Sequence, residues 1–190
     1  MPITKGFRQL VDEAMAEVTT YNVAQVRERM GSASLQIVDI RDPRELERGG
    51  TVPGALLAPR GMLEFWVDPE SPYFKPVFGD ESREFVLFCG AGWRSALAAK
   101  ALQDMGMTNV AHIDGGFADW CAQGAPVQTL EEHKAASRPA GTARAAWPRP
   151  PAPLAPAGWR PNRVSRASWP TAAAATSTTP RTCPRRMRPA

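Results

Sequence analysis

The segment FVLFCGAGWRSALAAKALQDMG, residues 85–106, decides the fold class of this chain of 190 residues. Its first four residues form a continuous apolar run, which is typical of a strand buried on both faces of a parallel sheet. A cysteine and a loop with two glycines follow. The last twelve residues carry Ala, Leu and Met at helical spacing, and Gly106 stands where a helix C-cap is needed. The segment therefore predicts a strand, a loop and a helix.

The same alternation continues on both sides of this segment. LQIVDI at residues 35–40 is typical of a second buried strand, and GALLA at 54–58 and NVAHI at 109–113 indicate weaker strands of the same kind. A short strand is also expected near residues 18–21. Strands that alternate with helices predict an α/β fold with a parallel sheet and right-handed crossovers.

An amphipathic helix is predicted near the N-terminus. Apolar residues recur at three- and four-residue spacing over residues 5–17, and the opposite face is acidic. We expect this helix to pack on the domain, because an acidic face does not suit an anionic membrane. Asn22 is a candidate N-cap for a second helix that follows directly.

Residues 61–83 interrupt the alternation of strands and helices. Pro69, Pro72 and Pro76 prevent a long helix, yet the segment is rich in aromatic residues. We expect an ordered excursion that packs over the domain. It either frames a site or only covers the core.

The charge of the chain is divided unevenly. The formal net charge is +4, yet 11 of the 23 Lys and Arg residues, and none of the 19 Asp and Glu residues, lie from Lys134 onward. The first 133 residues are therefore acidic. This argues against nucleic acid as a partner of the domain.

Residues 133–190 differ in kind from the rest. Ala, Pro, Arg and Gly make up 38 of the 57 residues from Lys134, a composition that buries too little apolar surface to offset the entropy of ordering. It predicts a disordered tail. The tail is either a polybasic arm or, because these residue types share GC-rich codons, sequence read out of frame. The predicted organisation is a helix at 1–16, a domain at 17–132 and a tail at 133–190.

Membrane and metal-binding classes find no support in the sequence. No apolar run approaches the roughly 18 residues that a membrane span needs. The three cysteines, Cys89, Cys121 and Cys183, lack the spacing of a metal site. We expect a soluble, cytoplasmic protein without a cofactor or a membrane partner, in a reducing compartment where a free thiol persists.

Cys89 is the candidate nucleophile. It would lie at the carboxyl end of a buried parallel strand, in the crevice where open α/β sheets bind ligands. Gly90, Ala91, Gly92 and Trp93 form a tight loop whose N–H groups can turn inward, and the start of the next helix adds further donors. These groups favour a thiolate, which is the reactive form of cysteine.

Arg94 and Ser95 complete this loop. The forked guanidinium of Arg94 suits the oxygens of a sulfonate, sulfate or phosphate. A buried, inert thiol is the alternative interpretation of Cys89. The spacing C-x4-R before a helix start favours the reactive one. No histidine lies near Cys89 in the sequence, and none is required if the loop holds the anion.

The motif CGAGWRS, residues 89–95, resembles the active-site loop of the rhodanese (sulfurtransferase) family, Cys-x-x-Gly-x-Arg-Ser/Thr. IVDIRDPRELERGGTVPGALLAP is similar to the family's upstream signature, with Thr51 in place of a His, and HIDGGFADWCAQGAPV is similar to its closing signature. The resemblance covers roughly residues 17–128. It implies a three-layer domain with a central, mainly parallel sheet flanked by helices.

The resemblance also implies a mechanism. Cys89 would attack the outer sulfur of a donor such as thiosulfate, sulfite would leave, and the Cys89 persulfide would pass its sulfur to cyanide, a thiol or a protein. Residues 90–95 would bind the donor and the persulfide. Asp39 and Arg41 are expected to support the loop through charge-assisted hydrogen bonds, and Arg60 is a candidate for a further anion contact.

Two other functions fit the same residues. A cell-cycle phosphatase family with this fold uses a longer loop, C-x5-R, so the spacing here favours sulfur transfer over phosphatase or arsenate reductase chemistry. A non-catalytic persulfide carrier or redox sensor would need the same thiolate, and the sequence does not separate it from an enzyme. Cys121 could resolve an oxidised Cys89, but a structural position on a helix is favoured. His112 lies in a strand without a partner set for a metal.

Overall fold

Five parallel strands form the sheet in the part of the chain that the structure describes, residues 2–137 of a computed structural model. The strands are β1 Thr19–Tyr21, β2 Leu35–Asp39, β3 Leu56–Leu57, β4 Glu84–Phe88 and β5 Val110–Ile113. Their order across the sheet is β1-β5-β4-β2-β3, and every neighbouring pair is parallel. β4, which carries the FVLF run, is therefore the central strand, as its continuous hydrophobicity predicts.

Seven α-helices connect and cover these strands within the same residues. They are α1 Phe7–Glu17, α2 Val23–Glu28, α3 Pro43–Gly49, α4 Leu63–Val67, α5 Trp93–Asp104, α6 Gly116–Ala122 and α7 Leu130–Ala136. Asn22 caps α2 as predicted, because its side chain accepts from the N–H of Gln25 while the Gln25 side chain accepts from the N–H of Asn22. α5 begins two residues before Ser95, where its start was expected.

The sheet separates two apolar clusters. Phe85, Leu87 and Cys89 belong to one cluster, and Val86 and Phe88 belong to the other, because successive side chains of a strand point to opposite faces. α1 packs on α5 on the first side, and α2 packs on α6 on the second. This arrangement of helix layers around a parallel sheet confirms the predicted three-layer α/β fold.

The excursion at residues 61–83 is ordered, as expected. It contains α4 and a short 3₁₀ turn, and it buries Leu63 and Phe78 in the first cluster, where the Phe78 ring lies 5.2 Å from that of Phe85. Phe65 and Tyr73 remain about half exposed. The excursion therefore covers the core with part of its apolar surface only.

The predicted boundary of the tail at residue 133 is wrong. α7 continues to Ala136, with Thr129 as its capping residue, and His133 is buried. The buried side chain of His133 anchors this helix to the domain. The composition from Lys134 onward gives no indication that a helix continues there. The remainder of the predicted tail, residues 138–190, lies outside the described residues. No helix within residues 2–137 is both long and apolar enough to cross a membrane.

Candidate active site

Cys89 lies immediately after β4, at the carboxyl edge of the sheet. The residue is 1% exposed and belongs to the first apolar cluster. The carbonyl of Phe88, just before it, accepts a hydrogen bond from the N–H of Ile40 at the end of β2. The cysteine is thus fixed by the central strand at the place where the sequence predicts it.

The loop after Cys89 is held from behind by α6. The carbonyls of Cys89 and Gly90 accept from the N–H groups of Phe117 and Ala118, at 2.8 and 3.0 Å. Gly92 takes a left-handed conformation, with φ of 87°, and serves as the N-cap of α5. The loop carbonyls therefore bind α6.

The N–H groups of this loop keep their capacity to donate. Within residues 2–137, none of the backbone N–H groups from residue 90 to residue 95 donates a hydrogen bond to another protein group. Those of the first turn of α5 also lie at the positive end of a twelve-residue helix. The loop can accordingly bind a thiolate, a persulfide or the oxygens of a small anion.

Gly116 explains why the closing GG pair follows β5. A Cβ atom added at Gly116 would lie 2.4 Å from the Cys89 carbonyl oxygen and 2.8 Å from the Gly92 nitrogen, and its φ is 57°. A side chain would therefore displace the loop. The glycine allows α6 to approach closely enough to donate its two hydrogen bonds.

Arg94 is paired with Glu45, a residue that the sequence did not indicate. Nη1 and Nη2 of Arg94 donate to the two carboxylate oxygens of Glu45 at 2.7 and 2.8 Å. This pairing, with a smaller contribution from Cys89, raises the pKa of Arg94 above its ordinary value. In return, the hydrogen bonds from Arg94 lower the pKa of Glu45. Glu45 also accepts from the N–H of Asp42 in the capping box of α3, a local signal that places it in the first turn of that helix but does not connect it with Arg94.

Asp39 and Arg41 form a buried ion pair beneath the loop. Nε and Nη2 of Arg41 donate to the Asp39 carboxylate, the latter at 2.6 Å, and the hydroxyl of Thr51 donates to the same carboxylate at 2.7 Å. The Arg41 guanidinium lies over the Phe117 ring, 3.8 Å from its centroid. Since the N–H of Phe117 donates to Cys89, the pair contacts the loop through α6.

Ser95 and His112 lie behind Cys89. The Ser95 hydroxyl lies 3.7 Å from Sγ of Cys89, 2.9 Å from the Gly92 carbonyl and 3.5 Å from Nδ1 of His112. Nε2 of His112 lies 3.0 Å from the hydroxyl of Thr20. His112 is fully buried, and burial lowers its pKa against smaller opposing effects of the Asp114 carboxylate and the Ile113 carbonyl. His112 lies in the strand predicted for it, but its approach to Ser95 and Thr20 was not predicted.

The comparisons with known proteins agree with this geometry. A model of the rhodanese-like domain matches residues 22–123, which is more than half of the chain. The chain belongs to the rhodanese-like domain family. The residues matched by this model include β2, β4, β5 and the Cys89 loop.

Two curated relatives of this rhodanese-like domain are named as sulfurtransferases. The human thiosulfate:glutathione sulfurtransferase is 28% identical over 111 residues, covering 56% of this chain and 96% of that protein. A sulfurtransferase from Allochromatium vinosum is 31% identical over 95 residues, covering 50% of this chain and 79% of that protein. The domain and these relatives support a sulfurtransferase-type function.

A solved structure is more similar in sequence. A protein of unknown function from Rhodopseudomonas palustris, named as a possible tyrosine phosphatase, is 48% identical with a TM-score of 0.64. The alignment covers 67% of this chain and 98% of that one. The two proteins share a fold, although the name of the second suggests another reaction.

Two further predicted residues of the rhodanese-like site have different surroundings. The Trp93 side chain is half exposed at the start of α5, and its ring centroid lies 5.5 Å from that of Phe7 in α1. Arg60 forms an ion pair with Glu64, one helical turn further on. Within residues 2–137, no hydrogen bond joins the Arg60 side chain to the Cys89 loop. The structure therefore brings Trp93 to the rim of the loop and pairs Arg60 elsewhere.

Proposed function

We propose that this protein is a sulfurtransferase that carries one sulfane sulfur on Cys89. The donor is a small anion such as thiosulfate, and the acceptor is cyanide, a thiol or a protein. The supporting observation is the position of Cys89 at the end of β4, in a loop whose N–H groups at residues 90–95 have no acceptor among the described residues. We place the reaction in the cytoplasm, where a free thiol stays reduced.

The reaction takes two displacement steps. The Cys89 thiolate attacks the outer sulfur of thiosulfate, a new S–S bond forms, and sulfite leaves with the electron pair of the broken S–S bond. In the second step the acceptor attacks the outer sulfur of the persulfide, and Cys89 leaves as a thiolate. The free N–H groups of the loop and the start of α5 stabilise the negative charge in both states.

Arg94 acts on the donor from the rim of this loop. Its two outer nitrogens bind Glu45, so the guanidinium is fixed in place before a donor arrives. Glu45 also offsets its positive charge. A site with partly neutralised charge suits weak, reversible binding of thiosulfate and ready release of sulfite.

Turnover tests this proposal. Wild-type protein with thiosulfate and cyanide should form thiocyanate continuously, Cys89→Ser should form none, and glutathione should replace cyanide as acceptor if a thiol is used. Stoichiometric loading of Cys89 without turnover would instead indicate a carrier or sensor. An absence of both loading and turnover would contradict the proposal.

Phosphate ester hydrolysis is the second candidate. The similarity to a protein named as a possible tyrosine phosphatase favours it. The spacing from Cys89 to Arg94 argues against it, because four intervening residues leave a smaller loop than the five that hold phosphate in related phosphatases. Release of nitrophenol from p-nitrophenyl phosphate by the wild type, but not by Cys89→Ser, would support this second function.

A further inference from the structure

A line of polar side chains runs from Cys89 along one face of the sheet to its edge strand β1. Sγ of Cys89 lies 3.7 Å from the Ser95 hydroxyl, which lies 3.5 Å from Nδ1 of His112, and Nε2 of His112 lies 3.0 Å from the Thr20 hydroxyl. Cys89, Ser95 and His112 are each 1% exposed or less, whereas Thr20 is exposed on the edge strand β1. We call these four residues the relay.

The contacts at the outer end of the relay orient its hydrogen bonds. The Thr20 hydroxyl donates to the carbonyl of Val18 at 3.3 Å, which leaves its oxygen available to accept from Nε2 of His112 in the tautomer protonated there. A neutral imidazole that donates from Nε2 has an unprotonated Nδ1. This nitrogen faces Ser95. The Ser95 hydroxyl has three possible acceptors: the Gly92 carbonyl at 2.9 Å, Nδ1 of His112 at 3.5 Å and Sγ of Cys89 at 3.7 Å.

We propose that His112 accepts the proton of the Cys89 thiol through the hydroxyl of Ser95. The S–H bond breaks, its proton binds the Ser95 oxygen, and Ser95 passes its own proton to Nδ1 of His112. The products are a thiolate and an imidazolium ion, and no other reactant takes part. His112 does not touch the sulfur donor and acts on Cys89 through Ser95, so it is a positioning residue for the thiolate.

The surroundings of His112 suit this role. Asp114 is the charged group that acts on the ring within residues 2–137, and the ring's contacts on β1 and α5, Thr20 and Ser95, carry no charge. Burial lowers the pKa of His112, so the ring is neutral before the transfer, and the Asp114 carboxylate opposes the effect of burial and favours the protonated ring. Since Cys89 is itself nearly inaccessible to water, the relay gives its proton a route that a bound donor does not block.

This inference rests on the proposed function, because it explains how that function's nucleophile is deprotonated. The experiment therefore measures alkylation of Cys89 by iodoacetamide, which requires no sulfur transfer, with thiocyanate formation assayed in parallel. The alkylated peptide that contains Cys89 is followed by mass spectrometry from about pH 6 to about pH 9.5. His112→Gln is compared with wild type.

His133→Gln is the matched control. His133 is also buried in this domain, and burial also lowers its pKa, but it lies on α7 with Gln128 as its partner at 2.6 Å. We expect His112→Gln to slow alkylation about tenfold near pH 7 and to leave the rate near pH 9.5 unchanged, because hydroxide then deprotonates the thiol. His133→Gln should match wild type at every pH.

Equal pH profiles for wild type and a folded His112→Gln variant would overturn the proposal and make His112 a structural core residue. If that variant does not fold, Thr20→Val serves instead, since it removes one exposed hydroxyl and keeps the shape of a strand residue. It should move the alkylation profile in the same direction.

An NMR spectrum of the His112 ring gives an independent answer, and a neutral ring protonated on Nδ1 rather than Nε2 would contradict the proposal. Slower alkylation of His112→Gln in a protein that forms no thiocyanate would refute the proposed function alone.

Discussion

Arg94 and Glu45, 49 positions apart in the sequence, form a two-bond pair across the mouth of the Cys89 loop. The guanidinium and the carboxylate meet side by side, with N–O distances of 2.7 and 2.8 Å. Both side chains are partly exposed, at 44% and 34%. The pair therefore fixes Arg94 mainly through its geometry, since Coulomb attraction is screened at such exposure.

Removing the charge of Glu45 should strengthen the binding of anionic donors. We expect Glu45→Gln to lower the KM for thiosulfate about three- to tenfold, and to make KM more sensitive to ionic strength, because Arg94 is no longer neutralised. Steady-state kinetics at low and high salt measure both effects. Glu47→Gln, on the exposed face of the same helix, is the control and should behave as wild type. An unchanged or higher KM for Glu45→Gln would contradict this role.

A side chain at Gly116 should displace the loop. Gly116→Ala would place a methyl group 2.4 Å from the Cys89 carbonyl oxygen, and we expect a loss of activity of about 100-fold. Gly124→Ala is the matched control, because Gly124 also has positive φ, at 63°, but has open space around it. That variant should lose about 1–2 kcal/mol of stability and keep its activity. Equal activity of the two variants would show that the close approach of α6 is not required.

The hydroxyl of Thr51 should stabilise the buried pair of Asp39 and Arg41. Thr51→Val leaves one lone pair of the buried Asp39 carboxylate without its donor at 2.7 Å, and we expect a loss of about 1–3 kcal/mol in the free energy of unfolding. Urea denaturation measures it. Thr51→Ser keeps the hydroxyl and should lose less. If the Val variant is as stable as the Ser variant, the hydrogen bond contributes nothing.

Acid should destabilise the fold through its buried histidines. Burial lowers the pKa of His112 and of His133, so the unfolded chain binds protons that the folded chain does not. The contribution of these two histidines to the free energy of unfolding should be complete above about pH 7. It should be lost as the pH drops below the ordinary histidine pKa of about 6.5. The carboxylates with lowered pKa values act only at lower pH. Urea titrations at about pH 7.5 and pH 5.5 should show a smaller difference for His133→Gln than for wild type; an equal difference would contradict the assignment for that residue.

The strand, loop and helix around Cys89 could be predicted because their signals are local. A continuous apolar run, two glycines and a helical repeat stand next to one another in residues 85–106, and each acts on its own neighbours in the chain. The fold class and the place of the candidate nucleophile follow from them. Asp39 and Arg41 were expected to support the loop through charge-assisted hydrogen bonds, but within the described residues their side chains bond to each other, to Thr51 and to the Gly50 carbonyl, and they reach the loop through Phe117.

The partners behind and beside the loop could not be predicted in this way. His112 reaches Ser95 because β5 pairs with β4 in the register that sets Leu87 beside His112, and a single sequence does not state that register. Glu45 reaches Arg94 for the same reason, since both lie on elements that follow neighbouring strands. The extent of α7 was missed because the alanine- and proline-rich composition beyond it outweighs the one buried residue, His133.

Intact mass spectrometry of the purified protein, before and after thiosulfate, tests the central claim most directly. Wild type should gain about 32 Da, the mass of one sulfur, and lose it again on addition of cyanide, because the persulfide on Cys89 is reversible. Cys89→Ser should gain nothing. An unchanged wild-type mass, in a protein whose Cys89 still alkylates at neutral pH, would contradict sulfur transfer from thiosulfate through Cys89.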